Sequence, residues 1–401
     1  MSAIYPAGID PTTPVALDRC DSYDVDTLET LIRRQLEALG CADMFDGKRV
    51  AIKPNMVMKK SPDAAATTHP AVLEAMLRIL KERAADIVIA ESPGGVYTEQ
   101  LLRSTYRGCG LAEVAERMEV RLNYDTSARD VEAPDGKTSK MFSLITPILD
   151  ADVIVNLCKL KSHSLTGYSG AVKNYFGTIP GVQKFEMHAR FPDYNDFGSM
   201  LVDLCAYHVA SKPTFNLLDG IVAMEGNGPT SGTPRKVGCL LSGCNPFTVD
   251  RAATAIVDID GVIMLEEAAR RGFCPATASQ VKLLSDLTLE DVHVDNFIKP
   301  DTVKRPGVGV SMFRILPKLF GGRLYKWLQP RPDIDAKTCV GCGECARSCP
   351  RHTIEVQPSK DGKKRAVIAY DACIRCYCCQ ELCPFKAVKI HKNPIIRLIG
   401  G

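Results

Sequence analysis

Cys339-Val340-Gly341-Cys342-Gly343-Glu344-Cys345-Ala346-Arg347-Ser348-Cys349-Pro350 sets the fold of the end of the chain, because its pattern returns thirty-four positions later, from Cys373 to Pro384. Both stretches read C-x2-C-x2-C-x3-C-P. The register continues past the ligands, with Ile354 matching Val388 and Val356 matching Ile390. Two copies of one unit identify an internal repeat. Three thiolates at successive x2 spacings, with a fourth ahead of a proline, suit an iron–sulfur cubane. Four-cysteine zinc sites favour paired C-x2-C halves and fit less well. The expected metal ligands are Cys339, Cys342, Cys345, Cys349, Cys373, Cys376, Cys379 and Cys383. Cys378 lies between two of them and reads as a packed small side chain, with exchange for Cys379 or a redox role as the alternatives.

The charge balance separates this end from the remainder. The 401-residue chain has 50 Lys/Arg against 47 Asp/Glu, too even for a nucleic-acid binder. Residues 331–401 carry 13 basic and 7 acidic side chains, whereas the preceding 330 carry 37 and 40. A basic unit beside a redox centre suits an acidic redox partner protein, or serves solubility alone. The first thirty residues show no secretory signal, and no run of eighteen apolar residues occurs, so no membrane span and a cytoplasmic protein are expected.

Outward from the repeat, the body alternates strand and helix signals. Lys48–Lys53, Asp86–Ala90, Asp152–Leu157 and Phe215–Leu218 read as strands, the second and third apolar enough to be covered on both faces. Ala71–Ala84, Leu111–Met118 and Phe247–Ile259 read as helices, the first opened by Pro70 and striped by Leu73, Leu77 and Leu80. The expected fold class is α/β: a largely parallel sheet body with a small α+β ferredoxin-like C-terminal domain. The expected division is 1–46, an irregular N-terminal arm and first helix; 47–300, the body with a substrate site; 301–330, a basic apolar linker; 331–393, the two-cluster domain; and 394–401, a tail. The linker has six basic and no acidic residues between 302 and 329. It is expected to wrap the body, with peripheral membrane contact as the alternative; Pro317 interrupts the helix that an anchor would need.

Residues 331–392 resemble the bacterial two-cluster ferredoxins. That resemblance implies crossed ligation: Cys339, Cys342 and Cys345 with Cys383 on one [4Fe-4S] cluster, and Cys373, Cys376 and Cys379 with Cys349 on the other. The body resembles domain-of-unknown-function family 362 over about 47–265. The likeness rests on KPNM at 53–56, THP at 68–70, ESPGG at 91–95, KLKSHSLTGYSGAVKNYFG at 159–177, DGIVAMEGNGP at 219–229 and NPFTVD at 245–250. It implies an α/β core joined to electron-transfer clusters and carries no catalytic assignment with it.

The residues themselves supply the candidates. The polar motifs fall at or just after the predicted strand ends, where parallel sheets bind ligands. Lys53, Lys159, Lys161 and Lys173 are expected to bind a small carboxylate or phosphate. Crowded ammonium groups lower one another's pKa, which suits a lysine to proton transfer. His163 is a further proton donor, and Glu225 a partner or metal ligand. Asn55, His69, Ser92, Gly94, Gly95, Asn174 and Asn227 are candidate ligand or cofactor contacts. His69 also suits a plain helix start, and Asp250 a packing role. Cys158, set among lysines, reads as a reactive thiolate or, joined by Cys239, Cys244 and Cys274, as part of a further metal centre, with packed free cysteines as the plain alternative. No G-x-G-x-x-G or G-x4-G-K-[ST] occurs, so nucleotide chemistry is not indicated. A flavin has no short signature and stays an open reading. Three functions compete: an iron–sulfur oxidoreductase acting on a small anion, a non-catalytic electron-transfer subunit or adaptor, and a metal- or cofactor-handling scaffold with sensing clusters.

Overall fold

The computed structural model describes residues 9–302, 329–359 and 361–392. The linker expectation falls mostly on 303–328 and the tail on 393–401, outside the described residues.

The apolar stretch Val153–Leu157, interrupted only by Asn156, becomes the first half of a central strand. In chain order the body strands are β1 (Val15–Arg19), β2 (Arg49–Pro54), β3 (Asp86–Ile89), β4 (Arg121–Leu122), β5 (Ala128–Glu132), β6 (Met141–Ile145), β7 (Val153–His163), β8 (Gly167–Ser169), β9 (Thr214–Glu225), β10 (Thr233–Gly243) and β11 (Leu283–Leu284). Nine of them form one sheet, ordered β11-β1-β10-β9-β7-β2-β3-β4, with β8 added to β7; β5 and β6 make a separate hairpin. From β9 to β4 neighbouring strands run parallel. Strand β10 is antiparallel to both β9 and β1. The fold is therefore α/β with a largely parallel sheet.

Four helices cover one face: α1 (Val25–Ala38), α2 (Pro70–Lys81), α3 (Glu99–Gly108) and α4 (Leu111–Arg117). After the short α5 (Thr146–Asp150), the other face is packed by α6 (Ala171–Asn174), α7 (Gln183–Arg190), α8 (Tyr194–Ser211), α9 (Pro246–Ile256) and α10 (Ile263–Arg270). Local chemistry fixes the starts. Asn245 Oδ1 accepts from Phe247 N ahead of α9, and Pro70 occupies the first turn of α2.

Several expectations are corrected. The N-terminal arm is no arm throughout: Val15–Arg19 is a strand between β10 and β11, too short to announce itself by periodicity. Strand β7 runs on through Lys159, Lys161 and His163, and β9 through Asp219 to Glu225, so these polar motifs lie inside strands rather than beyond their ends. Strand β3 is only half-buried, because its outer neighbour is a two-residue strand.

The C-terminal unit pairs β12 (Arg331–Ile334) with β15 (Val388–His391), and β13 (Ile354–Pro358) with β14 (Lys364–Ile368). Its helices are single turns, α11 (Glu344–Arg347) and α12 (Cys378–Glu381). The repeat is visible in the backbone. Gly341, Gly343 and His352 take positive φ in the first copy, as Arg375, Tyr377 and Lys386 do in the second. A left-handed non-glycine residue costs about 1–2 kcal/mol. Arg375 Nη1 and Tyr377 Oη hold the second loop by donating to Gln329 O (2.9 Å) and Pro330 O (2.8 Å).

Candidate functional site: a buried lysine cluster beneath the cysteine domain

Strand register assembles the site. Lys159 of β7 stands opposite Asp219 of β9, and Lys53 of β2 opposite Asn156 of β7. Lys159 Nζ donates to Asp219 Oδ2 (2.7 Å) and to Tyr23 Oη (2.8 Å). Lys53 Nζ is paired with Glu91 and also donates to Pro54 O (2.9 Å). A Cβ on Gly177 would collide with this Glu91 carboxylate and Lys53 ammonium, so glycine is required there. In both pairs the ammonium is buried against a carboxylate. Burial pushes both lysines below their ordinary value, and the facing acids oppose that shift.

Among the described residues, three further buried ammonium groups have no carboxylate in hydrogen-bonding contact. Lys161 Nζ donates to Asn55 Oδ1 (2.6 Å) and Ala66 O (2.7 Å). Lys184 Nζ donates to Ser92 O (2.7 Å), Ser92 Oγ (2.9 Å) and Ile179 O (2.5 Å). Lys173 Nζ lies 4.1 Å from the centre of the Phe176 ring. Burial draws Lys161 and Lys184 down to about 7 and Lys173 to about 8. His163 Nδ1 accepts from Leu165 N (3.1 Å), which leaves its proton on Nε2. Burial, then Lys173 and Lys161, hold that ring neutral.

A ladder of buried amides positions this group. Asn55 Nδ2 donates to Asn174 Oδ1 (2.7 Å), Asn174 Nδ2 to Asn156 Oδ1 (2.7 Å), and Asn156 Nδ2 to Asn216 Oδ1 (2.8 Å). The chain of donors turns the Asn55 oxygen toward Lys161.

The C-terminal unit sits directly over this cluster. The Glu381 carboxylate, at the end of α12, stands 4.0 Å from His163 Nε2. Gln380 Nε2 donates to Asn227 O (2.8 Å), and Thr230 Oγ1 to Glu381 O (2.6 Å). Leu382 packs so closely on Gly94 that an added Cβ would lie 2.8 Å from it. Burial raises the Glu381 carboxyl, while Lys173, Lys161 and Lys184 pull it down.

In the cysteine unit, a small cavity is lined by Cys349 together with Cys373, Cys376 and Cys379. Cys339, Cys342 and Cys383 are the thiols that crowd Cys345. Thr353 N points at Cys349 Sγ (3.3 Å) and Ala387 N at Cys383 Sγ (3.2 Å), equivalent bonds in the two copies. Such N–H donors stabilise thiolates bound to iron. Four thiols around one cavity and four more gathered at Cys345, with backbone donors aimed at sulfur in both copies, fit a pair of cubanes. Among the described residues no three His, Cys, Asp or Glu groups are set to hold a single metal ion.

Some candidates lie elsewhere. Glu225 Oε2 accepts from Ile298 N (3.0 Å) and ties down the segment before Asp301, and it forms no ion pair with the lysines among the described residues. Asn227 binds Asp301 and the C-terminal unit. His69 caps α2 through Ala71 N (3.2 Å) and stacks on Tyr23; burial lowers it to about 4. Gly95 takes φ +112 in the turn after β3. Asp250 accepts from Ala171 N (2.7 Å) and Val172 N (2.9 Å), capping α6. Cys158, Cys239 and Cys274 donate to three separate carbonyls, and Cys244 faces Cys41, so these cysteines do not converge. The sequence reading omits Lys184, Glu91, Asn156, Asn216 and Glu381. Glu91 lies inside the quoted ESPGG, whereas nothing in the Gln380-Glu381-Leu382 context marks Glu381.

Fold and cysteine geometry together define an α/β protein joined to a dicluster iron–sulfur domain. The description "4Fe-4S dicluster domain" matches residues 338–387, and "Domain of unknown function (DUF362)" matches residues 50–255. The chain belongs to the DUF362 family. A thylakoid-associated protein of Synechocystis is 32% identical over 311 residues, covering 76% of this chain and 93% of that one. Over the cysteine unit, a pyruvate synthase subunit of Methanothermobacter marburgensis is 33% identical across 67 residues (17% and 73% of the two chains). An uncharacterized ferredoxin of Methanocaldococcus jannaschii is 37% identical across 60 (14% and 90%). The chain carries two [4Fe-4S] clusters and is an iron–sulfur electron-transfer protein. No helix among the described residues is long and apolar enough to cross a membrane.

Proposed function

We propose that the protein is an iron–sulfur oxidoreductase whose body holds a small anion at Lys161, Lys173 and Lys184, with His163 Nε2–H as a neutral donor. The observation that carries this reading is the contact of α12 with the lysine cluster: Glu381 lies between two cluster cysteines, Cys379 and Cys383, and also faces His163. In this proposal Cys339, Cys342, Cys345 and Cys383 hold one cluster, and Cys349, Cys373, Cys376 and Cys379 the other. The bound clusters supply single electrons. The chain's own residues do the rest. Lys161 and Lys184, drawn toward neutrality by burial, hold a proton ready for a developing charge on the anion. The paired Lys53–Glu91 and Lys159–Asp219 fix the walls. Asn55 aims Lys161.

A redox partner protein meets the other side. Cys342 is exposed and Cys339 half-buried, whereas the second cysteine set is largely buried. Exchange with a partner is therefore assigned to the Cys339–Cys345 edge, which also serves the adaptor reading. We place the protein in the cytoplasm; fractionation tests this against the membrane association in the Synechocystis relative's name.

Anaerobic protein reduced with dithionite, freed of excess reductant and mixed with small carboxylates and oxoanions, tests the catalytic reading. Reoxidation of the clusters by one such compound, lost in Lys161→Met, is expected. Reoxidation only by another redox protein would leave the adaptor.

A further inference from the structure

Among the described residues five lysines are buried, and only Lys53 and Lys159 face a body carboxylate in hydrogen-bonding contact. Lys161, Lys173 and Lys184 are held by amide and hydroxyl oxygens or an aromatic face. Burying an ammonium without a counter-charge is costly. The carboxylate whose charge reaches these three comes from the other unit: Glu381 stands 4.0 Å from His163 Nε2, with the lysines beyond it. Glu381 remains 21% exposed while His163 is 4% exposed, so the carboxylate sits at the mouth and the donors lie behind it.

We propose that Glu381 is a built-in competitor: its carboxylate fills the mouth of the anion site, and the ligand class of that site is a small carboxylate that gains access when α12 lifts away. The inference rests on the anion-site reading above. Its reasons are geometric. The occupant is itself a carboxylate on a short side chain, which sets the chemistry and the size. The helix bearing it has one turn, tied to the body by two neutral hydrogen bonds and the Leu382–Gly94 contact. Neutral hydrogen bonds of this kind contribute modestly, so a ligand with two carboxylates, facing three ammonium groups, can displace one.

A site open for only a fraction of the time binds its ligand more weakly by that fraction. The test is anaerobic calorimetric titration of the full chain, with iron and sulfide content checked, using acetate and oxalate. Glu381→Gln is expected to bind oxalate about tenfold tighter than the native protein, and Lys161→Met in the Glu381→Gln background to lose that gain. Loss of a negative charge alone would also raise affinity, so Thr230→Val supplies the second arm. It leaves every charge in place and loosens α12 from the body side, and a gain of about threefold or more is expected. Gain in Glu381→Gln without gain in Thr230→Val overturns the displacement. Equal affinities throughout overturn it while leaving the anion site intact. No binding by any variant overturns both readings.

Discussion

Lys161 is 0% exposed and, among the described residues, has neutral acceptors alone within hydrogen-bonding distance, so its proton is a liability that depends on pH. Its folded value is near 7 against an ordinary 10.5. Below about pH 7 both the folded and unfolded chains carry the charge, and the folded state bears the full desolvation cost. Between 7 and 10.5 the unfolded chain alone keeps the proton, so this group's contribution to stability improves as pH rises. Lys161→Met removes the dependence. Relative to the native protein, the variant is expected to lose about 1–3 kcal/mol between pH 6 and pH 9. Denaturant titration at the two pH values checks it; parallel shifts at both would show that Lys161 keeps its proton in the folded protein across this range. The same burial is why charge alone misleads in reading this site. Lys53 and Lys159 sit in partnered pairs, whereas Lys184, absent from the expected set, belongs to the unpaired group.

At the scale of elements, the site depends on α12 lying against the turn after β3. Gly94 permits that approach, because a side chain there would meet Leu382 and the Val57 carbonyl. Gly94→Phe is expected to leave iron content and dithionite reduction unchanged but to slow oxidation of the clusters through the body by about tenfold or more, since the separation between the cysteine unit and the lysines grows. Stopped-flow absorbance checks it, and an unchanged rate would place the electron path elsewhere. How much of this was legible follows from where the determining partners lie. The cysteine repeat was legible because ligand spacing is local, and the equivalent positive-φ loops repeat with it. The apolar half of β7 was legible as a strand. Its second half was not, because Lys159, Lys161 and His163 look like loop residues until Asp219, Asn55 and Ala66 arrive from elsewhere in the chain to satisfy them. Strand β1 was lost for the same reason: five residues gain their burial from β10, more than two hundred positions away. Glu381 was illegible, since its role is set by how two units pack rather than by its neighbours in sequence.

At the scale of the whole molecule, the two units differ in what holds them. The body has two extensive apolar clusters, one on each face of the sheet. The described C-terminal unit has one small cluster, and five of its ten buried members are cysteines of the repeat. A unit of that size has little apolar surface to bury, and binding free energy of a structural metal centre is folding free energy. Extracting the iron under anaerobic conditions should therefore unfold 331–392 and leave the sheet of the body folded. Hydrogen exchange is expected to show loss of protection in β12–β15 together, with β7 and β9 still protected. The lysines beneath α12 then lose their cover, so Lys173 and Lys161 should become reactive toward an amine-acylating reagent that spares them in the intact protein. Lys159, enclosed with Asp219 and Tyr23 inside the body, should stay protected and serves as the internal reference. Collapse of the body along with the cysteine unit would mean that α12 supports the sheet rather than covers it. Unchanged lysine reactivity after the cysteine unit has unfolded would mean that the site is closed by the body itself.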